Sequence, residues 1–565
     1  MTKLYSKLIA LFLFISFAFG ALVAGNVDAG TKPLNGSELQ FLGRYSSTTT
    51  LGGAEISAVD AKSKRMFVTN GAANTIDIID ISNIKKPKLV KAVNFDSLGA
   101  TGLQSVAAQD GVVVVAAAGT SKTAAGKLFV MDVNGKMRKG LENGLTVGAL
   151  PDSVTISNDG KYAVSANEGE PVDYCLVDGK LPETSDPNGS ISIVNLSLKV
   201  PTVTTVDFSS FTDRKNGLIY AGSRIFGPNA TVAQDIEPEY VAISANSKTA
   251  FVTLQENNGI ATIDLETATI TNVLGLGFKN HNVYNTGMDA SDRDNIISIK
   301  PLNVQGMYLP DGIASVDAGG NTYMITANEG DAREYPCLLG GTSKTTLERE
   351  DLRYADVGLD PNLTPSSVAG RLRVTIFPPA VVTGTKVTSA TKVTSAYSFG
   401  GRSFTVWKSN LLDGVYGADL VYDSGDEIER VVARENPLKF NSDWDTTNGL
   451  INPFESRSAS KGPEPEGIAI GAAYGRTWMV LALERDSGVM LYDVTNPVQP
   501  RFVQYLNTSI KSENILNGTA GDVSPEGVLF LDGKKSPTGK PMFVVSYELS
   551  GTVAFFELTA PSKTK

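Results

Sequence analysis

The sequence predicts an all-β protein: a single closed β-propeller of four-stranded blades with long loops on one face. Three observations predict it. Short β-runs bounded by turns dominate the chain, and helical periodicity is scarce. A phrase recurs at blade-like spacing, consisting of a Pro-Asp or Pro-Glu step, a β-run, a turn, a second β-run and an acidic cluster. It reads Pro151-Asp152-Ser153 leading to Asn167-Glu168-Gly169-Glu170, Pro238-Glu239 to Gln255-Glu256-Asn257, Pro310-Asp311-Gly312 to Asn328-Glu329-Gly330-Asp331, Pro465-Glu466-Gly467 to Glu484-Arg485-Asp486, and Pro525-Glu526-Gly527 to Glu548. Third strands, finally, tend to end on a hydrophobic-Asp step, as in Ile79-Asp80, Met131-Asp132, Ile263-Asp264 and Tyr492-Asp493.

In chain order, residues 1–29 read as an export signal. Lys3 and Lys7 precede an apolar stretch over 8–19, and Val27-Asp28-Ala29 is an acceptable cleavage site. No later stretch is long and apolar enough to span a bilayer, so the mature chain is expected in a secreted, periplasmic or extracellular setting. The propeller is assigned to residues 39–558. A lone strand over 39–45 is expected to complete the last blade and close the ring, removing exposed edges. Units start near Ala54, Gln104, Pro151, Pro238, Pro310, Ala396, Pro465 and Pro525, which makes eight blades by count. Seven is the alternative, because the units at Pro310 and Ala396 are hard to separate. Residues 385–390 repeat as 391–396 between them. Long insertions at 171–188 and 335–369 follow second strands and should rise from the acidic face. Residues 559–565 form a short polar tail.

Charge narrows the partners. With 50 basic and 60 acidic residues, a net charge of −10 and a pI near 5.0, the chain offers no surface for a phosphate backbone, and nucleic acid is excluded. The chain is read as a monomer. Its two cysteines, Cys175 and Cys337, sit in comparable places after Asn167 and Asn328. A disulfide between two loops of one face is one reading for an oxidising compartment, and a thiolate metal ligand is the less favoured one.

The first carboxylate of each phrase opens a strand and the second closes its antiparallel neighbour, so both should emerge at one end of every unit. Asp152, Glu239, Asp311, Glu466 and Glu526 would form an inner arc, with Gln104 at the matching place. Glu168, Glu170, Glu256, Glu329, Asp331, Glu484, Asp486 and Glu548 would form a second tier. Like charges a few ångströms apart repel by about 4 kcal/mol at an intermediate dielectric. Such a convergence needs protons, arginines or metal ions. An oxygen-only set suits Ca²⁺, with Mg²⁺ the lesser option, and Asn167, Asn328, Gln255 and Asn257 add neutral oxygens. Taken singly, each acid is better read as a hydrogen-bond partner for a neighbouring backbone; only the combined pattern favours a metal.

His281 is the one histidine, read as a surface loop residue, and this argues against a zinc centre or a Ser-His-Asp triad. Arg333, Arg402 and Arg485 could clamp an anion. Neutralising a neighbouring acid is the alternative role, favoured for Arg333 and Arg485.

Longer phrases carry a resemblance. Residues 327–335 (Ala-Asn-Glu-Gly-Asp-Ala-Arg-Glu-Tyr), 462–468, 237–241, 254–258, Gly401-Arg402-Ser403-Phe404 and Asp289-Ala290-Ser291-Asp292-Arg293-Asp294 resemble the choice-of-anchor I domain family. That family includes mesenchyme-specific cell-surface glycoproteins of animal biomineralisation and many bacterial exported proteins. The resemblance implies an extracellular or surface β-propeller of the YVTN-like kind. Members are often labelled alkaline phosphatase-like, and the animal members are tied to calcium mineral.

Two functions follow as expectations. The first is an exported, calcium-binding propeller that presents an acidic, loop-rich face to a protein, a mineral or the cell envelope. The alternative is a metal-dependent phosphoesterase that uses the same carboxylates on a phosphorylated small molecule. A metal-free scaffold ranks below both.

Overall fold

The computed structural model describes residues 36–175, 177, 182, 184–335, 337, 351–375, 396–412 and 415–560. The expected export signal and most of the duplication at 385–396 lie outside the described residues. The described chain is all-β, with seven four-stranded sheets and one five-stranded sheet.

The four-stranded sheets follow one another along the chain. The first comprises Ser57–Asp60, Arg65–Asn70, Thr75–Asp80 and Lys88–Asn94. The second opens with Leu103–Gln109, the third with Pro151–Ile156 and the fourth with Val241–Ile243. The fifth, sixth and seventh open with Ile313–Ala318, Pro465–Ala473 and Pro525–Leu531. Within each of the first six the strands pair antiparallel in sequence order. In the seventh, Leu39–Ser46 is the fourth strand and pairs with Thr552–Leu558, which joins the two ends of the chain as expected.

Burial explains the stacking. Second strands such as Tyr162–Asn167 and Met542–Tyr547 are buried at every position, so both faces of these sheets are covered. Lys88–Asn94, an outermost strand, is almost entirely exposed. A separate apolar layer fills each interface. Phe67 and Ile78 of the first sheet meet Val113 and Phe129 of the second. Met479 and Leu481 of the sixth meet Ile325 and Val406 of the fifth. Val544 and Phe555 of the seventh meet Met66 and Val68 of the first. The sheets therefore pack successively, and the seventh packs on the first.

Neighbouring sheets also meet through hydrogen bonds to backbone oxygens near their inner strands. Ser153 Oγ donates to Glu239 O at 2.6 Å, and Thr253 Oγ1 donates to Asp311 O at 2.7 Å. Gly527 N donates to Glu55 O at 3.2 Å, linking the seventh sheet to the first. At Gly467 a Cβ would lie 1.9 Å from Glu526 O, which is why glycine follows the acid in Pro465-Glu466-Gly467. Gly467→Ala should therefore destabilise the fold by about 1–3 kcal/mol, read from denaturant midpoints. Alanine at Gly217, in the short helix Lys215–Tyr220 with open space around its Cβ position and no left-handed φ, should be neutral or stabilise by up to about 1 kcal/mol and serves as the control.

The unit read from Ala396 is not a separate four-stranded sheet. Tyr397–Ser398 joins the five-stranded sheet, and Phe404–Leu412 and Val415–Asp423 are the outer strands of the fifth sheet, whose inner strands are Ile313–Ala318 and Asn321–Ala327. The insertion between Ala327 and Phe404 split one unit into two apparent ones. The five-stranded sheet gathers Phe278–Asn280, Gln305–Met307, Tyr397–Ser398, Arg373–Thr375 and Leu352–Arg353, all from inserted segments. His281 belongs to this region and is 1 % exposed, not a surface residue. Its Nδ1 lies 2.7 Å from Thr286 O, and burial, then Lys279, lowers its pKa well below the usual imidazole range.

Candidate functional site

Four of the five Pro-acid steps share one local feature. Leu150, Leu309, Glu464 and Ser524, each just before a proline, have φ of 51°, 45°, 54° and 63°. The left-handed region is unfavourable for such residues, so the turn must be held by the pairing behind it. In the third, sixth and seventh sheets proline then starts the strand, and the acid follows within an irregularity of the ladder. Pro151 pairs with Asn167 and Ser153 with Ala166, leaving Asp152 as the extra residue. The same break spans Leu103/Ser105, Pro465/Ile468 and Pro525/Val528. Bulges re-aim side chains, and here the re-aimed residues are Gln104, Asp152, Glu466 and Glu526. Pairing Pro465 with Leu483 and Pro525 with Tyr547 brings Glu466 beside Glu484 and Glu526 beside Glu548. In these two sheets the inner acid and its second-tier neighbour lie at the same end.

A cavity of about 210 Å³ opens there, lined by Glu55, Gln104, Asp152, Glu466, Glu484, Glu526 and Glu548. Glu55 was not anticipated: its unit reads Ala54-Glu55-Ile56-Ser57 and lacks the proline that marks the others. Its equivalence shows in the contact of Glu55 O with Gly527, the counterpart of Glu526 O against Gly467. Glu168, Glu239, Glu256, Asp311 and Glu329 are not among the lining residues, although Asp311 and Glu329 come close to Glu466.

These carboxyls crowd one another. Burial, then Glu548 and Asp152, pushes Glu55 up to about 8. Burial, then Glu170, pushes Asp152 up to about 7. Burial and the surrounding acids raise Glu168, Glu239, Asp311, Glu466 and Glu526 well above the carboxylate range. Burial, then Asp331, takes Glu256 up to about 8, against an opposing pull from Arg333. Burial takes Glu484 up to about 8 although Arg485 opposes it, and burial also raises Glu548.

Two acidic groups have ligand oxygens within 4.8 Å of one another: Asp311, Glu329 and Glu466, and Glu329, Glu464 and Glu484. They differ in charge balance. Glu464 is held by Lys461 at 3.1 Å, by Arg485 at 3.2 Å and by Arg457. Burial pushes Glu464 up, but these three cations outweigh it and hold the carboxyl below its usual range. Glu329 takes Lys461 Nζ at 2.5 Å and Gln255 Nε2 at 2.6 Å, and Asp331 takes Lys461 at 3.0 Å. Lys461 and Glu464 therefore belong to the site, although the sequence reading named neither as a site residue. By contrast, none of Glu55, Asp152, Glu239, Asp311, Glu466 and Glu526 forms an ion pair with a cationic residue among the described residues. Glu239 Oε2, Glu256 Oε2 and Glu466 Oε2 are buried without a hydrogen-bond partner.

The candidate anion-binding arginines are held by protein groups. Arg333 pairs with Asp235 at 2.9 Å and Glu237 at 3.3 Å and stacks over Phe226 at 5.0 Å. Arg402 is 2 % exposed and donates to Asp289 O, Glu429, Ser458 O and Ser460 O, away from the cavity. Arg485 bridges Glu464 and Glu484, with 32 % of its side chain exposed. Asp486 is also elsewhere: it is 1 % exposed and takes bonds from Asn436 and Tyr505.

Cys175 and Cys337 form a disulfide, with Cα atoms 4.9 Å apart. That settles the choice between disulfide and thiolate ligand, and it clasps the loops that follow Tyr162–Asn167 and Asn321–Ala327. Tyr174 and Tyr335 pack edge to face at 5.4 Å, and Tyr174 N donates to Tyr335 O. Tyr335 Oη donates to Glu170 at 2.7 Å and to Glu237 at 3.2 Å, while Lys122 pairs with Glu170 at 2.6 Å. Glu170 is thus partly neutralised at the foot of the clasp.

Known proteins add the following. Gigasin-3a of Magallana gigas is 29 % identical over 168 residues, 29 % of this chain and 57 % of that protein. The mesenchyme-specific cell surface glycoprotein of Strongylocentrotus purpuratus is 28 % identical over 286 residues, 47 % of this chain and 36 % of that protein. The chain therefore spans little more than half of one relative and about a third of the other. Among solved structures, Kuenenia stuttgartiensis hydrazine synthase aligns with a TM-score of 0.43 at 13 % identity, covering 91 % of this chain and 97 % of that one. The β-propeller domain of Cps50 (Swd1) from Myceliophteria thermophila aligns with a TM-score of 0.43 at 7 % identity, covering 92 % and 100 %. Residues 55–497 match the choice-of-anchor I domain, and the chain belongs to that family.

Proposed function

We propose that the chain is an exported seven-bladed β-propeller that binds Ca²⁺ in its acidic cavity and presents the surrounding loop-rich face to a protein, a mineral or an envelope surface. One observation carries this reading. Of the six carboxylates lining the cavity of about 210 Å³, only Glu484 has a cationic partner among the described residues. A cavity of that size holds several waters, enough for a partly hydrated ion. The donor set is oxygen alone, and the unpartnered Glu466 Oε2 supplies a ready ligand beside Asp311. Ca²⁺ is favoured over Mg²⁺ because the acids stand on a ring of strands that cannot contract to a small octahedron. The ring count rests on seven four-stranded sheets packed in succession, the last on the first. An oxidising compartment agrees with the disulfide, and among the described residues no helix is long and apolar enough to cross a membrane. The name of the sea-urchin relative agrees with a place at the cell surface.

The phosphoesterase reading has one point in its favour: Arg485, partly exposed beside Glu484, could meet a phosphoryl oxygen. It ranks second because Glu464 and Glu484 already take up that guanidinium.

Calcium titration of chelator-treated protein should show binding and a higher melting temperature. Asp311→Asn with Glu466→Gln should remove the binding assigned to the cavity. Wild type that binds no Ca²⁺ would end this reading. Chelator-sensitive turnover of a generic phosphomonoester would move the second reading to first place.

A further inference from the structure

A separate buried group of acids lies where the inserted segments meet. The Asp289-Ala290-Ser291-Asp292-Arg293-Asp294 phrase forms a loop closed on its own first residue. Asp289, 0 % exposed, accepts Ser291 N at 3.3 Å on Oδ1 and Ser298 N at 3.0 Å on Oδ2. Glu455 enters this loop from the 440–460 segment. It is 1 % exposed, has a φ of 65°, and its carboxylate accepts the backbone N–H of Asn295. Its Oε1 has no hydrogen-bond partner. Asn441, 0 % exposed, is tied to the same segment: Glu455 N donates to Phe440 O, Arg457 N donates to the Asn441 backbone oxygen, its Nδ2 donates to Glu429 Oε1 at 2.9 Å, and its Oδ1 too is unpartnered.

The cations nearby are already engaged. Arg402 pairs with Glu429 at 2.7 Å, Arg371 holds Asp292 at 2.8 Å, and Arg457 serves Glu464 and Asp443. One guanidinium, that of Arg402, therefore stands against three buried carboxylates: Asp289, Glu429 and Glu455. An excess of buried negative charge requires protons or a cation. Burial, then Asp289, pushes Glu455 up to about 8, and burial, then Glu429, takes Asp289 up to about 7. A closed loop, an inserted carboxylate with a free oxygen and a neutral amide oxygen make a hard-cation site of the kind Ca²⁺ takes.

We propose that Asp289 and Glu455, with the Asn441 amide oxygen, hold a second Ca²⁺ that fastens the 289–298 loop to the 440–458 segment, independently of the axial cavity. Hydrogen–deuterium exchange of the wild-type protein with and without Ca²⁺ tests this without any variant. Amides of 289–298 and 440–458 should be at least tenfold better protected with Ca²⁺; unchanged exchange there overturns the proposal. Calcium titration supplies the second arm. Glu455→Gln should bind one equivalent less than wild type, and Asp311→Asn with Glu466→Gln should keep that equivalent. A Glu455→Gln protein that binds as much Ca²⁺ as wild type overturns the site, and a carboxyl pair sharing a proton would then account for the buried acids. Loss of cavity binding alone would leave this second site standing.

Discussion

Arg333→Met is expected to lower the stability of the protein by about 3–5 kcal/mol, the range for breaking one side of a buried ion pair. Arg333 is 2 % exposed and carries Asp235 and Glu237, which are equally enclosed. Methionine matches much of its volume but removes the guanidinium that pairs with both carboxylates. Burial already pushes Glu237 well above the carboxylate range despite Arg333, so losing the guanidinium forces a proton onto the site or opens it to water. The damage should spread to the clasp, because Tyr335 Oη donates to Glu237 and Tyr174 stacks on Tyr335. Urea midpoints at pH 7 check the size of the loss. Adding Glu237→Gln to Arg333→Met should recover part of it, since one uncompensated charge goes. A single variant within about 1 kcal/mol of wild type would mean that these acids are already protonated, and that Arg333 acts mainly through its stacking on Phe226.

How far the sequence led is clear from particular residues. Pro-Asp/Glu steps were a legible signal because at Asp152, Glu466 and Glu526 proline and the acid form one device, a left-handed turn followed by a bulge. Glu55 escaped since Ala54 replaces the proline, although a small residue, an acid and a β-run were all present. The glycine after the acid was the other usable signal: at Gly312, Gly467 and Gly527 it fits against the backbone of the next sheet. The strand that completes the seventh sheet was legible because a lone β-run precedes the first unit. The apparent unit at Ala396 misled because a long insertion separates the paired strands of the fifth sheet. The charge balance was beyond local reading. Lys461 reaches Glu329 across 132 positions of chain, and no spacing rule anticipates that pairing. Arg402 looked available only because its partners, Glu429 and the carbonyls of Ser458 and Ser460, come from distant segments.

Without a divalent cation, stability should fall as pH rises from about 4.5 to about 8, and Ca²⁺ should reverse that slope. The sign follows from the raised carboxyls. Glu55, Glu256 and Glu484 titrate near 8 in the folded protein and Asp152 near 7, well above an unfolded chain. Across this window the folded state keeps protons that the unfolded state has shed. Stability is fully present at low pH and declines by about 1.4 kcal/mol per pH unit for each such proton. Glu464 does not contribute, because its carboxyl is held below the usual range and is ionised throughout. His281, buried and neutral, works in the opposite direction below about pH 6.5, but it is the chain's one histidine, against several acids. A bound cation needs the ionised carboxylates, so its stabilising effect should grow over the same range in which the cation-free protein weakens. Melting temperatures from pH 5 to pH 9, with chelator and with millimolar CaCl₂, should therefore diverge as pH rises. Asp311→Asn with Glu466→Gln should flatten the chelator curve, since two of the crowded acids are gone, and narrow the gap between the two curves. Parallel curves in wild type would mean that protons alone balance the ring, and the carboxylates would then be a structural feature of the propeller axis.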